Sequence, residues 1–150
     1  MSTTLEQELS CHGYAVFRTK GISMEPLIHE DSTLVCVRAV DGPLHIGDVV
    51  LFRRWKDPRC RDWDYVLHRV ERDPCGAVLT LRGDHQLWSE SVPASDILGV
   101  MVGFYRGNTY IDCRTHPLYR LYTRTLLLRH SLQLLRLLLG KFRRRLKGTR

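Results

Sequence analysis

Apolar and polar positions along the chain change rhythm twice. Over residues 3–10, Leu5 and Leu9 stand one helical turn apart behind Thr3 and Thr4, either of which can act as a cap, so the spacing predicts a short helix. From Tyr14 the period shortens. Short apolar-rich runs at 14–19 (YAVFRT), 33–38 (TLVCVR), 48–53 (DVVLFR), 64–72 (DYVLHRVER), 77–82 (AVLTLR) and 97–105 (ILGVMVGFY) predict six strands. The turn signals DGPLHIGD, KDPRCRD, RDPCG and RGD separate them. Such strands predict a mainly β fold, an antiparallel or mixed barrel or sandwich. From Pro117 the rhythm becomes helical. Leu121, Leu128, Leu132, Leu135 and Leu139 share one stripe, and Leu126, Leu127, Leu134 and Leu137 lie nearly opposite. Pro117 should open this helix and Gly140 should stand near its end. The pattern therefore divides into a β-rich domain over 1–113 and a basic helix with its tail over 114–150.

Charge sharpens that boundary. Up to Cys113 there are 12 basic residues against all 16 acidic ones, a balance of −4; from Arg114 onward there are 11 basic residues and no acidic ones. A tail of this kind suits a polyanion, lipid head groups or nucleic acid. Hydrophobic residues make up 43% of the chain, a folding composition rather than a disordered one. Cys11, Cys36, Cys60, Cys75 and Cys113 are odd in number and include no CxxC pair, which fits a reducing compartment better than a disulfide framework. The first residues carry neither a basic n-region nor an apolar h-region, so no secretory signal is expected. No metal or cofactor is expected either. Cys113-x-x-His116 is one pair without a second, Cys11-His12 lacks partners, and no phosphate-binding glycine loop occurs.

Chemistry is concentrated in GISMEP, residues 21–26. A serine hydroxyl is a weak nucleophile until a base takes its proton. His68, in DYVLHRVER, is the best candidate. Strand alternation puts Val66, His68 and Val70 on one, inward face and Tyr65, Leu67, Arg69 and Glu71 on the other. An imidazole needs little adjustment to act as a base near neutral pH. Taken alone, the same pattern also fits a core histidine bonded to backbone. Asp84 taken alone fits a turn after a strand, and Asp48 a residue that opens one.

The blocks G-I-S-M-E-P at 21–26, I-G-D-V-V-L-F at 46–52, H-R-V at 68–70 and G-D at 83–84, in that order, resemble the signal peptidase I superfamily, whose relatives include self-cleaving phage-type repressors. The resemblance covers roughly residues 14–105. Histidine in the H-R-V block is the form of the endoplasmic-reticulum and archaeal branch; most bacterial members have lysine there. The resemblance implies a signal-peptidase-like β domain, with Ser23 as nucleophile and His68 as general base. Asp84 or Glu90 would be the acid that orients the histidine. Met24 and Pro26 would be substrate-side residues, Pro26 stiffening the turn, and Met24 and Leu27 would be packing or pocket residues. Many relatives carry a hydroxyl residue two positions before the nucleophile; Gly21 stands there, so the oxyanion would rest on backbone N–H groups. The implied substrate is a signal or leader peptide, extended, with small residues before the cut.

Two other readings remain open. One is a non-catalytic peptide-binding module of the same fold. The other is a self-cleaving peptidase of the repressor kind, although only about a dozen residues precede the first strand and no helix-turn-helix stands there. Relatives are anchored by an N-terminal spanning helix, which this sequence does not display. Arg129, His130, Gln133 and Arg136 break the apolar run of the C-terminal helix, so it is expected to lie on an anionic membrane surface or to dock on protein. Nucleic acid is not an expected partner. The expected location is the cytoplasm or the inner face of a membrane.

Overall fold

The computed structural model describes residues 4–57, 59 and 62–147. Cys60 and the last three residues of the basic tail lie outside them, as do the side chains of Leu134, Leu137 and Leu139. The chain separates into two compact units, residues 1–116 and 117–150.

The first unit opens with helix α1 (Leu5–His12). Thr4 is its cap: Gln7 N donates to Thr4 Oγ1 at 3.3 Å and Thr4 N donates to Gln7 Oε1 at 3.0 Å, a reciprocal capping box. Gly13 closes the helix with its N–H on Leu9 O. Eight strands follow: β1 (Tyr14–Arg18), β2 (Thr33–Ala39), β3 (Val49–Asp57), β4 (Asp62–Arg72), β5 (Val78–Arg82), β6 (Glu90–Pro93), β7 (Ile97–Arg106) and β8 (Thr109–Asp112). All pair antiparallel in one sheet of order β1-β2-β7-β3-β4-β5-β6, with β8 added to the far half of β7. β1 and β6 end this path and do not pair with each other, so the sheet is not a closed barrel.

The six expected strands are all present, two of them extended by two or more residues past their apolar runs. β3 and β4 extend past the apolar core into an arm where Trp55 meets Trp63 edge-on, ring centroids 5.1 Å apart. An aromatic cross-strand pair stabilises a ribbon beyond its buried part. β6 and β8 were not expected. Glu90–Pro93 has no run of apolar residues, and only its register beside β5 makes it a strand. β8 follows the two-residue loop Gly107-Asn108, a hairpin signal with Gly107 at φ 59°.

Both faces of the central strands are covered. Val49, Val50, Leu51 and Phe52 are all 1% exposed or less. Val50, Phe52, Val70, Leu79, Leu81 and Val92 form one apolar cluster. Among the described residues Cys11, Cys36, Cys75 and Cys113 form no disulfide.

The second unit is helix α2 (Pro117–Lys147). Pro117 is its first residue, as expected. Gly140 does not end it: the backbone stays helical through Lys147. A mid-helix glycine costs only about 1 kcal/mol, and the Lys, Arg and Leu residues after it are good helix formers. Among the described residues no helix is long and apolar enough to cross a membrane.

Candidate active site

The site is built by strand register. Val50 pairs with His68, Phe52 with Val66, Val70 with Leu81, and Leu81 with Glu90. Side chains of directly paired residues share a face, and alternation repeats it every second residue. Phe52, Arg54, His68, Val70, Leu81 and Glu90 therefore project to the same side, although they come from four strands.

His68 is fully buried there. Its ring lies against Phe52, centroids 5.7 Å apart. Glu90 Oε1 stands 2.5 Å from Nδ1, an ion pair whenever the ring carries its second proton. Arg54 grips the same carboxylate with both arms of its fork. Nε donates to Oε2 at 3.1 Å, and an Nη donates to Oε1. Burial would raise the Glu90 carboxyl, but its contacts with His68 and Arg54 outweigh burial and hold it down to about 2, from an ordinary 4.5.

Of the two acids implied for orienting the histidine, Glu90 is the one in contact with it. Asp84 is committed elsewhere. Arg69 Nε donates to its Oδ1 at 2.8 Å and Arg69 Nη2 to its Oδ2 at 2.7 Å. Arg69 Nη1 donates to Gly47 O at 2.7 Å. Alternation alone puts Arg69 on the outward side of β4, yet it is 1% exposed. The opposite face of the sheet is covered too, and a guanidinium can be buried there because Asp84 and a carbonyl neutralise and satisfy it. A second buried arginine, Arg82, donates to Gln86 O at 2.9 Å and pairs with Glu71, which also bonds Ser89. Both arginines thus hold the 83–89 loop at its ends.

That loop meets the serine. His85 N donates to Ser23 O at 3.0 Å. A β-carbon placed on Gly83 would stand 2.6 Å from Ser23 O and 3.1 Å from His68 Nε2, so those two atoms lie less than about 6 Å apart. Ser23 is half-buried in the turn that links β1 to β2, where Leu27 N and Ile28 N both donate to Met24 O. Nε2 has no hydrogen-bond partner; the Ser23 hydroxyl is not bonded to it. Gly21 has φ 86°, a conformation side chains rarely adopt. Backbone geometry therefore explains glycine at this position.

A cleft of about 590 Å³ runs past Ser23. Phe17, Lys20, Gly21, Ser23, Met24, Arg54 and Leu67 are among the residues that line it. Met24 is otherwise buried, as is Leu27. Pro26 follows a cis peptide bond, is exposed and does not line this cleft. Asp48 directly precedes β3, where its side chain accepts from His45 N at 2.8 Å, so it opens a strand as expected.

Arg54 and Arg69 escape a reading by motif. Arg69 stood in plain view inside H-R-V, next to the histidine. Arg54 has no local signal, since its partner Glu90 is 36 residues away. Among the described residues no cluster of His, Cys, Asp and Glu could hold a metal ion. No family model, curated protein or solved structure matches this chain.

The depressed Glu90 carboxyl makes stability depend on acid. A carboxylate whose folded pKa lies below its unfolded value contributes stability that is complete above the unfolded value and disappears as pH falls through the folded one. For Glu90 the window is pH 4.5 down to about 2. Urea midpoints should fall across that window in the wild type. Glu90→Gln should show a shallower fall; identical slopes would mean that the carboxylate is not held by His68 and Arg54.

Proposed function

We propose that the chain is a serine endopeptidase with a signal-peptidase-like domain, acting on a signal or leader peptide through an acyl-enzyme on Ser23. The carrying observation is the Arg54–Glu90–His68 series. It ends at a buried Nε2 without a partner, against the same glycine as the Ser23 backbone. A carboxylate beside Nδ1 favours the proton on that nitrogen and leaves the Nε2 lone pair free to accept one. Ser23 Oγ attacks the scissile carbonyl carbon while Nε2 takes its proton. The carbon–nitrogen bond then breaks as the imidazolium returns that proton to the leaving amine. Water, deprotonated by the same nitrogen, releases the acid product and frees Ser23. Backbone N–H groups at the turn, that of Ser23 among them, would stabilise the oxyanion.

The cleft suits an extended substrate. β1 forms one end of the sheet, and β4 pairs with β5 only from Arg69 onward, so backbone edges face the cleft from two strands. The same proposal puts the enzyme in the cytoplasm or at the inner face of a membrane, on the strength of the basic tail.

Incubation with unstructured peptides bearing alanine or glycine before a central bond, read by mass spectrometry, tests the reading. Ser23→Ala and His68→Ala should each remove cleavage by about 10³-fold or more. The missing Ser23–Nε2 hydrogen bond favours the second reading, a peptide-binding module. Peptides retained equally by wild type and Ser23→Ala in equilibrium dialysis, with no product, would establish that one instead.

A further inference from the structure

In α2 the leucine stripe of the sequence is an open surface. Leu121, Leu128, Leu132 and Leu135 are 58%, 62%, 48% and 52% exposed, and Leu118 beside them is 69% exposed. At 100° per residue the four lie within about 40° of Leu121. Arg124 falls about 60° to one side of the stripe, and Arg129 and Arg136 about 60–80° to the other. Arginine thus flanks both borders of an apolar strip. From Arg114 to the end of the chain 11 residues are basic and none is acidic.

We propose that this face of α2 lies on an anionic phospholipid surface, the leucines among the acyl chains and the flanking arginines on phosphates. Arginine can keep its stem along apolar surface while its head reaches the phosphate layer. The charge pattern favours lipid over a second copy of the chain. Two such helices laid face to face would set arginine borders against arginine borders, with no carboxylate on either helix to relieve them. It also favours lipid over nucleic acid, because a phosphate backbone offers nothing for four exposed leucines. This inference is independent of the peptidase reading.

The full chain should co-sediment with vesicles of phosphatidylcholine and phosphatidylglycerol, and far less with phosphatidylcholine alone. Binding should weaken with added salt. Arg124→Gln, Arg129→Gln and Arg136→Gln should each lower the partition coefficient about fivefold. The combined Leu128→Ser, Leu132→Ser and Leu135→Ser variant should lower it more than tenfold, with circular dichroism reporting an unchanged helix. Because one set changes the borders of the face and the other its apolar strip, failure of one variant to fold leaves the other decisive. Equal binding to both vesicle types, or full binding by either set, overturns the proposal. So does a concentration-dependent dimer in sedimentation equilibrium that the leucine variant abolishes, or a preference for duplex RNA over vesicles.

Discussion

Glu90→Gln should slow peptide cleavage on the order of 10³-fold while the chain stays folded, and Asp84→Asn should unfold it. The two carboxylates differ in what they hold. Glu90 faces the ring nitrogen of His68 and the fork of Arg54. An amide there keeps the shape but no longer stabilises the imidazolium that the proposed reaction would form. It also no longer favours the tautomer that leaves Nε2 free. Asp84 sits with Arg69 in a pair whose side chains are 0% and 2% exposed. Neutralising it leaves a guanidinium buried without its counter-charge, a loss of about 3–5 kcal/mol. Urea denaturation beside a cleavage assay separates the cases. If Glu90→Gln cleaves at more than a tenth of the wild-type rate, His68 works with Ser23 as a bare pair. If Asp84→Asn is as stable as the wild type, the buried pair contributes no net stability.

The difference between these acids was out of reach of the sequence for a definite reason. Gly83-Asp84 is a recognisable block and Asp84 follows a strand, so local pattern favours it as much as Glu90. What decides is the pairing of β5 with β6, which sets Glu90 beside Leu81 and so on the face of His68. β6 has almost no apolar signal, and register between strands is not written in either strand alone. The period-two runs did reveal the six longer strands, because each buries at least one side; Pro117 revealed the start of the second helix, and the pair Thr3-Thr4 that of the first without choosing between them. Alternation failed at Arg69 because it assumes one wet face; the central strands are covered on both. It also missed that the 83–89 loop, which has no periodicity, carries the serine's backbone partner.

Gly83→Ala should cost both stability and cleavage, although its backbone is not in the left-handed region. The cost is one of space. The added methyl would sit 2.6 Å from Ser23 O, 3.1 Å from His68 Nε2 and 3.1 Å from Gln86 Cδ. The glutamine side chain can swing away. The Ser23 carbonyl cannot, because His85 N holds it, and neither can a fully buried imidazole. Overpacking of this kind typically costs about 1–3 kcal/mol. The relief available is to push the Ser23 turn outward, and a displacement of about 1 Å at a reacting group can cost 10²-fold in rate. Gly42→Ala is the matched control, since a methyl there meets nothing within 4 Å and its backbone is likewise outside the left-handed region. Wild-type cleavage by a stable Gly83→Ala chain would show that Ser23 leaves this glycine during turnover. Loss of stability without loss of cleavage per folded molecule would make Gly83 a packing residue alone. Loss of both, with Gly42→Ala unchanged, would tie the position of Ser23 to the loop that Arg69 and Arg82 hold in place.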